Sequence, residues 1–151
     1  MVQPSSVAHR EQVVDTMISL TRLSNLHRAI VAGNDSLPLY LSLRRRGFIR
    51  IATTATCRLP RKQHTIAFVT GGHSVLAIES ALDQVSPFLG PSATIAILIC
   101  SREGEFCLKI RRRLEQMGFQ IEAGVRCHDG LVLSSYRQGY QTNVAHMQRV
   151  A

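Results

Sequence analysis

Residues 28–47, RAIVAGNDSLPLYLSLRRRG, constrain this chain more than any other stretch. Ala29-Ile30-Val31-Ala32 is an unbroken apolar run of the kind found in a strand covered on both faces. Gly33-Asn34-Asp35-Ser36 is turn sequence. A helix follows, with Asn34, Asp35 or Ser36 available as N-cap and Pro38 in its first turn. It closes on Arg44-Arg45-Arg46-Gly47, where basic residues complement the helix dipole and glycine suits the left-handed C′ position. A strand feeding a helix through a glycine-containing turn is the usual opening of an α/β sheet with a ligand pocket at the carboxyl ends of its strands.

The remaining elements extend that grammar. An amphipathic helix precedes the first strand, capped by Ser5 or Ser6 and running to about Leu23, with Val13, Met17 and Leu20 on one row and Val14, Ile18 and Thr21 on the next. Covering the sheet is its simplest role; lidding a pocket or contacting a partner are the others. Strand two spans Ile49–Thr54 and strand three His64–Thr70, ending in Gly71-Gly72. The intervening CRLPRKQ, residues 57–63, is shorter than the about 10–12 residues a helical crossover needs. The chain therefore crosses the sheet in extended form, or these two strands are neighbours. His73 or Ser74 caps a helix that buries Ile78, Leu82, Val85 and Leu89, turns Glu79 and Asp83 outward, and ends at Pro87 and Gly90-Pro91. Thr94–Cys100 reads as a buried parallel strand. Phe106, Ile110, Leu114 and Met117 mark a helix stopped by Gly118. Phe119–Val125 and Leu131–Tyr136 form a hairpin whose turn signal is Asp129-Gly130. The expected fold is an α/β three-layer αβα sandwich: a mostly parallel sheet closing with a C-terminal antiparallel β-hairpin, preceded by an N-terminal amphipathic helix. Residues 1–26 form the helical extension, 27–136 the α/β domain and 137–151 a flexible tail.

Charge and cysteine content narrow the function classes. The 151 residues carry a net charge of +8, and every basic residue except Lys62 and Lys109 is arginine. Phosphate or carboxylate recognition favours arginine; so does a GC-rich coding bias. Three clusters stand out: Arg44, Arg45 and Arg46; Arg58, Arg61 and Lys62; and Arg111, Arg112 and Arg113. Gathered on one face they would attract a nucleic acid backbone, an acidic protein or anionic lipid; apart, they are solvated surface. No aromatic residues interleave them, so base stacking is not indicated. Cys57, Cys100, Cys107 and Cys127 show no CxxC spacing, which argues against a zinc ribbon; Cys100 and Cys107 read as small buried hydrophobes. A reducing, cytoplasmic setting is expected. Cys127-His128-Asp129 clusters three ligand-type residues, read as exposed turn sequence, and no metal is expected. No secretory signal is recognised, and the longest apolar run, Ala93–Cys100, is too short to span a bilayer.

Two segments are candidates for chemistry. Asp35 is the one acid near the first strand end, where a carboxylate accepts hydrogen bonds from ribose hydroxyls or an amino group; N-capping is its competing role. Gly33 lets a ligand approach the backbone, or serves the turn alone. Gly71-Gly72-His73-Ser74 opens a helix at the same rim, where free N–H groups attract an anion and His73 can act as a base or hold a phosphate; a plain turn and cap is the alternative. No GxSxG elbow occurs. A phosphoacceptor receiver needs an acidic pair after strand one, an acceptor Asp at the end of the middle strand and a late lysine; here Asp35 is alone, Thr70 stands where the acceptor would, and the strand ending at Cys100 carries no lysine.

Residues 27–136 resemble the S-adenosylmethionine-dependent methyltransferases of Rossmann-like fold. VAGNDS stands where that family has its glycine-rich cofactor turn. SALDQVSPFLGPSATIAILIC is similar to its helix–Pro/Gly–strand passage, and RRRLEQMGFQIEAGVRCHDGLVLSSYR to its closing helix and hairpin. The resemblance implies S-adenosylmethionine as cofactor, without a metal, around Gly33, Asn34, Asp35, Thr54, Gly71, Gly72 and His73. The chain departs from the family pattern at three points. Gly33 is alone in its turn, strand two ends Thr53-Thr54 without a ribose-binding carboxylate, and Thr70-Gly71-Gly72 replaces the Asp or Asn-Pro-Pro-aromatic residues of many amino methyltransferases. The family strand and helix that belong between residues 54 and 64 are also missing. The expectation is a small methyltransferase-like domain with a degenerate cofactor site, and a methyltransferase if it is an enzyme. The rival is a non-catalytic basic module binding nucleic acid or an acidic protein through Arg44–Arg46 and Arg111–Arg113. A third role is homo-oligomerisation through the first helix or the hairpin edge.

Overall fold

The computed structural model describes residues 4–55, 58–101, 103–128 and 130–137. Cys57, Asp129 and the tail beyond Arg137 lie outside these residues. The elements run α1 (Pro4–Thr21), β1 (Ala29–Gly33), α2 (Ser36–Arg45), β2 (Ile51–Thr53), β3 (His64–Thr70), α3 (Val75–Val85), a 3₁₀ turn (Ser86–Phe88), β4 (Leu89–Ile99), α4 (Gly104–Gln116), β5 (Phe119–Cys127) and β6 (Gly130–Arg137). One six-stranded sheet has the order β2-β1-β3-β4-β6-β5. The first four strands are parallel, and β6 lies antiparallel between β4 and β5.

Alternation along the central strands sorts the core into two layers. Ala29 and Val31 of β1, Ile66 and Phe68 of β3 and Ala96 of β4 face α1 and α2, meeting Val13, Val14, Met17, Leu39 and Leu43. Ile30 and Ala32, Ala67 and Val69, and Ile95, Ile97 and Ile99 face α3 and α4, meeting Ile78, Leu82, Phe106, Ile110 and Leu114. This is why the central strands read as continuous apolar runs: both faces are covered. The αβα sandwich with its antiparallel ending is as the sequence predicts, and α1 covers the sheet.

Several boundaries differ from expectation, each for a local reason. Ile49 is exposed rather than in β2, which starts at Ile51 where pairing with Ala29 begins. Leu89 belongs to β4 rather than to α3, because the 3₁₀ turn ends the helix early and Leu89 then pairs with His64. Gly90-Pro91 lies within that strand, with Pro91 exposed. Ser74, and not His73, caps α3, its Oγ accepting from Ala77 N at 3.1 Å. β2 and β3 are not neighbours: β1 lies between them. The connection crosses the sheet without a helix among its described residues, with Leu59 packed against the α3–α4 layer and Lys62 N donating to Pro87 O at 3.2 Å.

α1 and α2 are also joined by charge. Arg46 pairs with both Glu11 and Asp15, and Ser42 Oγ donates to Glu11 Oε1 at 3.2 Å. The Arg46 guanidinium holds the Glu11 carboxyl below its ordinary value of 4.5, against the opposing effect of desolvation and with help from Ser42. A carboxyl held low in the folded chain adds stability above its unfolded pKa and loses it as pH falls below that value. Partial exposure keeps the contribution small. Glu11→Gln should cost less than about 1 kcal/mol at neutral pH and should flatten the loss of stability between about pH 5 and pH 3, as read by denaturant unfolding across that range.

Candidate functional site

The parallel strands end at a common rim, and a cleft of about 310 Å³ opens there between the strand ends and α1 and α2. Its lining includes Thr70 after β3, Leu98 and Cys100 at the end of β4, Asp35, Pro38 and Leu39 from the β1–α2 region, and Arg10, Val13 and Val14 from α1. Gly72 completes it. The walls are mostly apolar, with one cationic and one anionic side chain.

Backbone contacts fix this rim. Gly33 has φ 105° and sits so close to β3 that a Cβ there would fall 1.7 Å from Thr70 O. Only glycine fits both the conformation and the space. The Thr70 hydroxyl donates to the Asn34 carbonyl, tying the β1–α2 turn to the end of β3. Gly71 likewise abuts α3, where a Cβ would lie 2.2 Å from Ile78 Cγ1. The closeness of Gly33 and Gly71 to their neighbours is thus the close approach of elements within the fold.

Asp35 is different. It stands at the N-cap position of α2 with φ 60° and makes no side-chain cap hydrogen bond. Its exposed carboxylate at the cleft wall is therefore not consumed by the helix. The seven sequence-predicted residues divide accordingly. Asp35 and Gly72 line the cleft, and Gly33 and Asn34 form the turn beside it. Gly71 packs under the first turn of α3. His73 is exposed and outside the lining. Thr54 also lies outside it, with its Oγ1 3.5 Å from Gln84 Oε1 on α3.

Arg10, Val13 and Val14 were not legible as site residues, because α1 has no sequence signal beyond its apolar rows. The helix is anchored beside the cleft by the ring of His9, stacked on His128 of the β5–β6 turn at 3.8 Å and 19°, and by the Cys127 Sγ contact to Thr16 Oγ1 at 3.7 Å. Among the described residues, no group of three or more His, Cys, Asp or Glu is arranged to hold a metal.

The two arginine triplets do not merge. Arg44–Arg46 end α2 in one helical layer, and Arg111–Arg113 lie on α4 in the opposite one. Among the described residues, Arg44 donates to Ile49 O at 2.8 Å, Arg46 pairs with Glu11 and Asp15, and Arg113 pairs with Asp83. No helix among the described residues is long and apolar enough to cross a membrane.

No family model matches the sequence, and no curated protein matches it. Solved structures do match the fold. Precorrin-6y C5,15-methyltransferase from Geobacter metallireducens aligns with TM-score 0.57 and 14% identity, covering 83% of this chain and 88% of that one. Magnesium protoporphyrin IX methyltransferase from Synechocystis, determined with bound SAM, aligns with TM-score 0.56 and 14% identity over 86% and 80%. Precorrin 8w decarboxylase from Methanobacterium thermoautotrophicum aligns with TM-score 0.55 and 14% identity over 83% and 89%. The chain thus has the Rossmann-like fold of the S-adenosylmethionine-dependent methyltransferases, and identity at this level speaks to fold alone.

The contact between Gly33 and β3 gives a direct test. Gly33→Ala should destabilise the protein by more than about 3 kcal/mol, since backbone strain and a steric clash combine. Gly47→Ala, also at positive φ but with nothing within 4 Å of its Cβ, should cost only about 1 kcal/mol. Thermal denaturation of the pair separates close packing from conformation.

Proposed function

We propose that this chain is a small methyltransferase-like domain that binds S-adenosylmethionine or a related nucleoside in the cleft at the carboxyl ends of β1, β3 and β4. The observation that carries the reading is the Asp35 carboxylate, at the cleft wall and unspent by the helix it precedes. In open α/β sheets, ligands bind outside the carboxyl ends of the strands. Asp35 would accept hydrogen bonds from ligand hydroxyl or amino groups. Gly72, with nothing within 4 Å of its Cβ position, leaves room for a ligand at the backbone. The apolar wall of Val13, Val14, Leu39 and Leu98 would shield an uncharged portion of the ligand.

The residues fit such a ligand in part. The end of β2 supplies no carboxylate, and Thr54 lies outside the cleft. A missing charged hydrogen bond costs about 1.5–3 kcal/mol, so weak binding is expected. S-adenosylmethionine, when bound, supplies an electrophilic methyl group on a sulfonium. The protein's share in transfer would be to position the acceptor beside it, with no metal required. Gly33 and Asn34 would shape the turn beside the ligand, with Gly71 packed under α3 and His73 outside the cleft lining.

A basic-surface role toward nucleic acid or an acidic protein has less support, since the two triplets occupy opposite layers. Self-association through the β5 edge is a separate proposal that light scattering would decide. A cytoplasmic location also belongs to this reading.

The ligand assignment can be measured by thermal shift and calorimetry with S-adenosylmethionine and S-adenosylhomocysteine. With a Kd of about 0.1 mM, about 1 mM ligand adds about 1.4 kcal/mol, a Tm rise of about 3–5 °C. Asp35→Asn should weaken binding about tenfold and reduce the rise to about 1 °C. No heat and no shift at millimolar ligand would remove the assignment.

A further inference from the structure

A second concave site lies at the other end of the parallel strands. A groove of about 300 Å³ is lined by Arg28, Arg50, Ile51, Ala52, Pro60 and His64. Arg28 immediately precedes β1, Arg50 precedes β2 and His64 opens β3, so three adjacent strands deliver these side chains to one edge. The sheet holds their backbones: Ala29 N donates to Arg50 O at 2.9 Å, and Thr65 N donates to Arg28 O at 3.0 Å. No carboxylate lines the groove among the described residues.

His64 is the unusual member. Its relative exposure is 3%, and its Nδ1 is buried with no hydrogen-bond partner among the described residues. Burial lowers its pKa from the ordinary 6.5; a hydrogen bond to the Phe88 backbone works the other way, and the charge of Arg28 lowers it further. A buried polar nitrogen without a partner is costly, and the His64 residue lines a groove that two arginines also line. Arg28 Nη1 has a neutral partner, Gln63 Oε1 at 2.7 Å, so its charge is not neutralised by that contact.

We propose that this groove is a binding site for a small tetrahedral dianion of the phosphate class, held by Arg28 and Arg50 beside the recessed His64 imidazole. Guanidinium groups match tetrahedral oxyanions in charge and donor geometry. A protonated His64 imidazole adds a third positive charge beside the anion, so binding takes up a proton and strengthens as pH falls. The recessed imidazole favours a small ligand over a polymer. Arg58, Arg61 and Lys62, exposed on the connection that contributes Pro60, add positive charge without adding a carboxylate. The nearby His27 has its own contact, accepting from Ser24 N at 3.1 Å. The site lies at the amino ends of the strands, away from the proposed nucleoside cleft, and does not depend on that cleft being functional.

Sulfate is the suitable probe, because it stays dianionic on both sides of the imidazole pKa. Calorimetric titration of the whole protein at constant ionic strength should show sulfate binding about tenfold tighter near pH 5.5 than near pH 8. Arg28→Gln combined with Arg50→Gln, on exposed side chains that leave the fold intact, should weaken binding by at least about tenfold. His64→Gln should remove the pH dependence. Inorganic phosphate should displace bound sulfate. Absence of sulfate binding at both pH values, equal affinity in the double arginine variant, a pH dependence retained without His64, or displacement by duplex DNA but not by phosphate would each overturn the proposal.

Discussion

The contact between Gly33 and the Thr70 carbonyl sets the geometry on which the rest of the upper rim depends. β1 and β3 are already paired from Ala29 to Gly33. What the glycine adds is a turn that folds back over its neighbour without a side chain in the way. Thr70 then clasps the Asn34 carbonyl, so α2 starts from a fixed point. Asp35 is carried to the cleft wall in a left-handed conformation and makes no capping bond. A residue suited to capping thereby keeps a carboxylate that the helix does not use, at the place where ligands of open α/β sheets bind.

α1 converts that rim into a cleft. It packs Val13, Val14 and Met17 onto the layer built by Phe68, Ala96 and Val132 and is joined to α2 through Arg46 with Glu11 and Asp15. The stacking of His9 on His128 attaches it to the hairpin turn as well. The helix is therefore both cover and wall, and a site that reads as one incomplete turn in the sequence acquires part of its apolar side from a helix earlier in the chain. The two ends of the sheet have different chemistry. The carboxyl rim pairs Asp35 with apolar walls, while the amino edge gathers arginines around a buried histidine.

Legibility followed the range of the interactions involved. The buried stripe Phe106, Ile110 and Leu114 of α4 and the paired runs of β1, β3 and β4 were readable because period and burial are local consequences of backbone geometry. Ser74 was a readable cap candidate for the same reason. Asp35 was harder: whether it caps depends on the φ the turn imposes, and that follows from β3. The start of β4 at Leu89 was hidden by Gly90-Pro91, which normally punctuates structure, yet sits in a strand beginning that has Pro91 exposed. The arginine triplets could not be assigned to one surface or two until the helices had been placed in layers.

By itself the sequence determined the kind of elements, their order and the α/β architecture, because hydrophobic period, caps and turn residues act over a few positions. It also settled that the turn after β1 holds one glycine and one carboxylate, and that β2 ends without an acid. Only the tertiary structure decided that β1 separates β2 from β3, that β6 inserts between β4 and β5, and that α1 walls the cleft. It alone brought Arg28, Arg50 and His64 to one edge. Such juxtapositions come from strand order and packing between residues far apart in the chain, and no local pattern encodes them.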